Sequence, residues 1–293
     1  IDVCDVQWRG SVEVRRSATV PEFMAVAGEF LTEREAEHNL IFGICSQIDA
    51  DPTQYPDPPY LGAVLDADRV VGAAIQTPPY RLVVSVFDHP GVADALVADL
   101  RGRPLPGVVG PADPAGAFAS ARAASEGVRV TLSRHERAYR LREVRPARPA
   151  LGEMVRARPV DRQILREWIE AFHVEAIGSS GAPPQDFDAM VDRWIRGLGR
   201  TPYLWTVGGQ PVSFAGAGGL TPHGIRVGPV YTPPELRGHG YASNLVAAMS
   251  QLQLDAGRTF VFLFTDLANP TANHIYQDIG YEPVIDIDEY AFD

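Results

Sequence analysis

Lysine is absent from this chain of 293 residues: its 26 basic side chains are all arginine, against 37 Asp and Glu, for a net charge of −11. Neither half carries a basic excess, with 15 Arg against 20 acids up to Pro146 and 11 against 17 beyond it. That balance excludes sequence-independent nucleic-acid binding, which needs clustered phosphate-neutralising cations. The missing lysine reads as a composition bias. Cysteine is scarce as well. Cys4 and Cys45 are too few for a disulfide framework, and no Cys/His cluster has metal-ligand spacing, so no metal and a reducing, cytoplasmic setting are expected. No apolar run approaches the roughly 18 to 20 residues that cross a bilayer, so no membrane partner is expected. The chain opens on Ile1 rather than Met and without a signal-type segment, so residues before it are expected to be missing. What is present is a 45% hydrophobic chain, long enough for two domains at about 150 residues each.

Prolines and a glycine between Arg140 and Gly152 break both strand and helix patterns and mark a linker, which places domains at 1–146 and 153–293. Beyond it, Met154–Arg158 reads as a strand, and Asp161 as the cap of a helix with Ile164, Leu165, Trp168, Ile169 and Phe172 on one face. After the loop Gly178–Pro184 comes a helix with Met190, Val191, Trp194 and Ile195. Tyr203–Val207, Pro211–Ala217 and Ile225–Thr232 then read as an antiparallel meander. A helix over Gly238–Asp255 follows. Thr259–Phe264 is apolar at nearly every position, as in a strand buried on both faces with a parallel partner. Asn269 and Pro270 start the last helix, Gly280 ends it, and a final strand begins at Tyr281. Gly216-Ala-Gly-Gly219 lacks the third glycine and following helix of a dinucleotide fingerprint and reads as a bulged strand.

The first half has the same rhythm without the same residues. Pro21–Asp49 is helical, Tyr60–Leu65 and Val70–Gln76 form a hairpin, and Arg81–Phe87 is a third strand. A helix over Gly91–Leu100, a Gly-Val-Val-Gly strand, a helix over Pro114–Ser125 and a strand over Val128–Leu141 complete it. The chain reads as a weak tandem repeat, the alternative being the ordinary rhythm of any α/β half.

Chemistry is concentrated in Val230–Ser243, a strand that runs through a loop into a helix, with Gly238, Gly240 and Ala242 after Arg237. Unpaired N–H groups and a partial positive charge at such a helix start can hold phosphate oxygens, and glycine permits the close approach. The plainer reading is a tight turn. A second feature is Asn269–Tyr281, where Asn269, Ala272, Asn273, Tyr276 and Gly280 share one side of a short helix.

Here the sequence resembles the GNAT acyltransferases. Arg237–Ala242 fits their signature of Arg or Gln, two residues, Gly, one residue, Gly or Ala, and Asn269–Tyr281 is similar to their second motif about thirty residues on. The resemblance implies an α/β (α+β) fold, a mixed, mostly antiparallel sheet flanked by helices, in two GNAT-like domains in tandem. It implies acetyl-CoA or another acyl-CoA as cofactor. Val230, Tyr231 and Thr232 would pair with the pantetheine arm. Backbone N–H groups of Gly238, His239, Gly240, Tyr241, Ala242 and Ser243 would cradle the pyrophosphate, and Asn269 or Asn273 would bond the arm or the nucleotide side. Tyr276 would protonate the leaving thiolate, unless it is a packing residue. Phe87–Ala95 has no Arg-x-x-Gly-x-Gly equivalent, so the first half is expected to bind no CoA.

For the general base, Asp266, Glu175 and His173 are candidates by position, beside water. Three functions fit: an N-acyltransferase acting on a primary amine of a small metabolite or peptide, as monomer or homodimer; a CoA-binding regulatory protein; and a tandem acyltransferase acting on a thiol-cofactor precursor. Glu282, Asp286, Asp288, Glu289 and Asp293, with Asp186 and Asp188, are expected to steer a cationic amine inward or to be a plain solvated acidic surface.

Overall fold

Apolar periodicity and turn residues divide the chain into alternating strands and helices. The computed structural model describes residues 12–176 and 186–293. Cys4 and the loop Gly178–Pro184 lie outside the described residues. The first half contains β1 (Glu13–Arg16), α1 (Val20–Glu33), α2 (Asn39–Ala50), β2 (Tyr60–Asp66), β3 (Arg69–Gln76), β4 (Leu82–Val84), α3 (Val92–Asp99), β5 (Gly107–Pro111), α4 (Ala112–Glu126) and β6 (Val130–Leu141). The second contains β7 (Glu153–Arg156), α5 (Arg162–Ala176), α6 (Phe187–Ile195), β8 (Arg200–Val207), β9 (Gln210–Leu220), β10 (Gly224–Tyr231), α7 (Tyr241–Asp255), β11 (Phe260–Asp266), α8 (Pro270–Asp278) and β12 (Glu282–Phe292).

Local chemistry accounts for most boundaries. Thr19 caps α1 by accepting from the Glu22 N–H, and Phe23, Ala27 and Leu31 form its buried stripe. Two expectations are corrected. The single helix expected over Pro21–Asp49 is two, because residues 34–38 leave helical geometry and turn the buried carboxylate of Glu35 toward Thr221 and the backbone N–H of His223. Asp161 does not cap α5. It closes a one-turn 3-10 segment, Pro159–Asp161, and its carboxylate accepts from the Arg158 N–H at 2.8 Å.

The chain divides into two compact units. One is built from the chain up to Arg34, Asp57–Arg134 and Ile287–Asp293, the other from Glu35–Pro56 and His135–Asp286. One cut between 146 and 153 does not reproduce them, since each unit takes a piece of the other half. Gly43 of α2 packs on the backbone of Gly219, where a Cβ on Gly43 would lie 3.2 Å from the Gly219 Cα. Ile287–Ala291 pairs with Pro111–Gly107 of β5.

In the first unit the strands run β1-β2-β3-β4-β5 and end on β12; in the second, β7-β8-β9-β10-β11 and end on β6. Each has one parallel pair, β4 with β5 and β10 with β11, among antiparallel neighbours. Helices flank both sheets. In the second unit, one core packs β6, β9, β10 and β11 against Leu245, Val246 and Met249 of α7. The other packs Leu204 and Phe214 against Leu165 and Ile169 of α5 and Val191 of α6. Val261, Phe262 and Leu263 are all buried, which explains why β11 lacks polar alternation.

Candidate active site

The two central strands of the second unit begin as partners and then separate. β10 pairs with β11 over Gly224–Arg226 opposite Phe260–Phe262. Its antiparallel ladder with β9 runs on to Tyr231↔Phe214, past a register shift between Val227 and Val230 where Gly228 and Pro229 stand against the single residue Gly216. A bulge bends and twists its strand. Past it, Val230 and Tyr231 keep β9 on one edge and turn the other toward the side β11 has left. The strand end is pinned: the Ser213 hydroxyl donates to the Tyr231 carbonyl at 3.1 Å and lies 2.9 Å from the Thr232 hydroxyl. The Tyr231 ring packs against Trp168 of α5, centroids 6.4 Å apart.

From Thr232 the chain enters the start of α7. Gly238 and Gly240 hold φ of +81° and +79°, the left-handed region that favours glycine. Among the described residues, a Cβ on Gly238 would have no atom within 4 Å. The Asn244 N–H donates to the Gly240 carbonyl at 3.1 Å as the first bond of the helical ladder, so the N–H groups before it have no place in that ladder. Arg237 holds the loop: Nε donates to the Thr232 carbonyl at 2.9 Å, Nη2 donates to Glu175 at 2.6 Å, and the guanidinium lies 5.9 Å from the Tyr231 ring centre. His239 stacks on Tyr241 at 5.4 Å, which turns both rings onto each other and leaves the backbone as the functional part of these two residues.

The second motif is built as a helix start. Asn269 accepts from the Ala272 N–H at 3.0 Å, with Pro270 as the first helical residue. Asn273 is saturated: its amide donates to the carbonyls of Asp266 and Asn269, and its oxygen accepts from Tyr139 at 2.9 Å. The Tyr276 ring is half-buried and meets Tyr281 edge-on at 6.0 Å. Burial pushes its phenol up to about 12, so it holds its proton at neutral pH and is fitted to donate rather than to accept.

The base candidates are engaged. Asp266 accepts from the Ala268 N–H at 2.7 Å, Glu175 is paired with Arg237, and His173 packs edge-on against Phe187 at 5.4 Å. The acidic set expected to steer a cation is largely neutralised by arginine. Arg137 grips both oxygens of Asp286 and holds its carboxyl below the usual range. Glu289 lies 3.8 Å from Arg81 and 4.0 Å from Arg134, Asp188 pairs with Arg162 and Arg166, and Asp186 caps α6. Asp288 is buried and accepts from the Tyr290 hydroxyl at 3.3 Å. Among the described residues no group of three His, Cys, Asp or Glu could hold a metal, and no helix is long and apolar enough to cross a membrane. Sequence reasoning passed over Arg200 and Arg226, which flank the glycines of β9; the signal available was that glycine cluster.

The acetyltransferase (GNAT) family model matches residues 163–281, which hold the separated strands, the start of α7 and α8. Residues 163–281 form a GNAT acetyltransferase domain. No curated protein matches the chain. Among solved structures, a Drosophila protein aligns over 96% of this chain and 98% of its own at 12% identity and a TM-score of 0.70. A GCN5-related N-acetyltransferase from Sphaerobacter thermophilus aligns over 96% and 95% at 17% identity, TM-score 0.60. A tandem GNAT protein from the clavulanic acid biosynthesis pathway aligns over 96% and 98% at 18% identity, TM-score 0.57. At these identities the likeness is one of fold, and it spans both halves. The GNAT domain is an acyltransferase domain, of a family that uses acyl-CoA.

Proposed function

We propose that the protein is an N-acyltransferase that moves the acetyl group of acetyl-CoA to a primary amine of a small metabolite or peptide. The observation that carries the reading is the separation of β10 from β11 beside a glycine-built helix start. The residues fit an acyl-CoA: an edge of β10 at Val230–Thr232 matches an amide-bearing arm, and the open space over Gly238 admits phosphate oxygens to the N–H groups of residues 238–243. Bound there, the thioester supplies an activated acyl group.

The chain's own residues do the rest. A strand N–H near Tyr231 faces the developing oxyanion, and preorganised donors of that kind supply much of the stabilisation in acyl transfer. Tyr276, protonated at neutral pH, gives its proton to the departing thiolate. Water takes the proton of the amine, because Asp266, Glu175 and His173 are occupied. For Asn269 and Asn273 the hydrogen bonds favour a supporting role: they fix the start of α8 and, through it, the place of Tyr276. The presence of Tyr276 also favours an enzyme over a CoA-binding regulator, which needs no acid at the sulfur. The reading keeps 1–146 and 153–293 as the two repeated halves, with the first as scaffold, and a cytoplasmic setting in which the buried thiol of Cys45 stays reduced.

The test is a screen of primary amines with acetyl-CoA and longer acyl-CoAs, followed by release of free CoA. Amine-dependent release that falls in Tyr276→Phe is the expected result. Tight CoA binding without release for any amine would favour the regulator.

A further inference from the structure

Three of the four residues Gly216–Gly219 of β9 are glycine, and two arginines lie across them. Gly218 stands in register with Arg200 of β8 on one side and with Arg226 of β10 on the other. Residues paired across neighbouring strands project to the same face. Both guanidinium side chains therefore rise from one face, separated at the backbone by a residue with no side chain. At about 4.8 Å between strands their Cα atoms are roughly 10 Å apart, within reach for both to meet one small anion. The floor must be bare. A Cβ on Gly216 would lie 2.7 Å from the Arg200 Cδ, and one on Gly218 would lie 2.2 Å from the Gly199 carbonyl oxygen.

Charge on this face does not close. Arg200 is 9% exposed, and its Nη1 is buried with no hydrogen-bond partner. Its guanidinium lies 5.4 Å from the Trp194 ring, a contact that orients it without neutralising it. Arg226 lies 5.4 Å from the Phe264 ring and interacts with Glu136 and with Tyr55. Burial, reinforced by the charge of Arg226, brings Arg200 down to about 9. Glu136 thus acts on Arg226, and among the described residues no carboxylate acts on Arg200. A buried cation left unpaired is strongly destabilising, and arginine pairs are the usual receptors for planar and tetrahedral oxyanions.

The place of this pair fits the acceptor. Trp194 belongs to the core that also holds Leu204, Phe214 and the partly buried ring of Tyr231. Arg226 precedes Val230 by four residues on β10, roughly 13 Å along the strand. We propose that Arg200 and Arg226 form an oxyanion subsite for the acceptor, so that the amine carries a carboxylate or phosphate held by this pair. This rests on the acyltransferase reading for the identity of the ligand, and on geometry alone for the subsite.

The test has two arms. In the first, inorganic phosphate and glutarate are titrated into the ligand-free protein at constant ionic strength and thermal unfolding is followed. A saturable rise in Tm is expected for wild type with one or both anions, and which one acts tells phosphate from carboxylate. Arg200→Met should unfold at a higher Tm than wild type without anion and show no anion-dependent rise. No saturable response in wild type, or an unchanged response in Arg200→Met, would each overturn the subsite. In the second arm, ω-amino acids and phosphorylated amino alcohols are compared with neutral amines of equal length. Wild type should prefer the anionic members in kcat/KM, and Arg200→Met should collapse that ratio by about tenfold or more. If Arg200→Met fails to fold, Arg226→Gln carries both arms. Equal acetylation of anionic and neutral amines by wild type removes the subsite and leaves the acyltransferase. An Arg200-dependent phosphate response with no amine acetylated keeps the subsite and removes the acyltransferase.

Discussion

Both units place a parallel strand pair ahead of a helix, and the pairs differ in what lies beside them. In the first unit β5 presses on β4: a Cβ on Gly110 would lie 2.7 Å from the Val84 carbonyl oxygen. The strand end is tied back by Ser85, whose backbone N–H donates to the Ala73 carbonyl at 2.8 Å and whose hydroxyl accepts from the Ala73 N–H at 2.9 Å. At the start of α3 the His89 ring accepts from the Gly91 N–H at 3.1 Å. In the second unit the bulge at Gly228 and Pro229 carries β10 away from β11, and Gly238 faces open space. Strand order alone does not distinguish the two units. The proposed acyl-CoA site rests on a bulge that spreads the strands and on a helix start that the described residues leave open.

The largest expected effect is on cofactor stoichiometry and on Gly240. Titration calorimetry should give one acetyl-CoA per chain; two would erase the distinction between the units. Gly240→Glu should weaken binding beyond detection, since it places a carboxylate at the phosphate position. Gly240→Ala is the control for the positive φ, with an expected cost of about 1–2 kcal/mol in stability and a measurable affinity remaining.

Tyr276→Phe comes next. Turnover should fall by roughly 10²-fold with acetyl-CoA affinity nearly unchanged, and because burial raises this phenol to about 12, wild-type turnover should show no loss from its ionisation up to pH 9. Equal turnover of the two proteins across pH would make the ring a packing residue.

Glu175→Gln sharpens the account of the base. With its carboxylate engaged by Arg237, both side chains about half exposed, the substitution should change turnover by no more than about threefold and stability by less than about 1 kcal/mol. A hundredfold loss would make Glu175 the base.

The smallest effect is at Asp286. Arg137 depresses its carboxyl, so its contribution is present above the ordinary carboxylate value of about 3.9 and is lost as pH falls through the depressed one. Both partners are a third exposed, so Asp286→Asn should lower Tm only slightly at pH 7 and make no difference at the acid end of a pH-dependent unfolding series. An unchanged KM for the best amine in that variant is also expected, since the charge is already paired.

The two helix starts of the proposed cofactor side were readable because their parts are local. Arg237 to Ala242 and Asn269 to Tyr281 each lie within a few turns of chain, and glycine, proline and asparagine at those spacings have few structural uses. The pairing of the acidic set was not readable because a carboxylate in a sequence carries no mark of its partner. Asp286 meets Arg137 across 149 residues, and Asn273 meets Tyr139 across 134.

By itself the sequence determined most of the element order, the buried strand β11, the two helix starts and the absence of a second glycine-built start in the first half, all set by short-range periodicity and by backbone angles that glycine and proline impose. Tertiary structure decided which unit receives α2 and the end of β12, which acids are paired with arginine, and that Arg200 and Arg226 meet over Gly218. Those outcomes depend on strand register and on burial, and both are properties of residues far apart in the chain that become neighbours only when the sheets form.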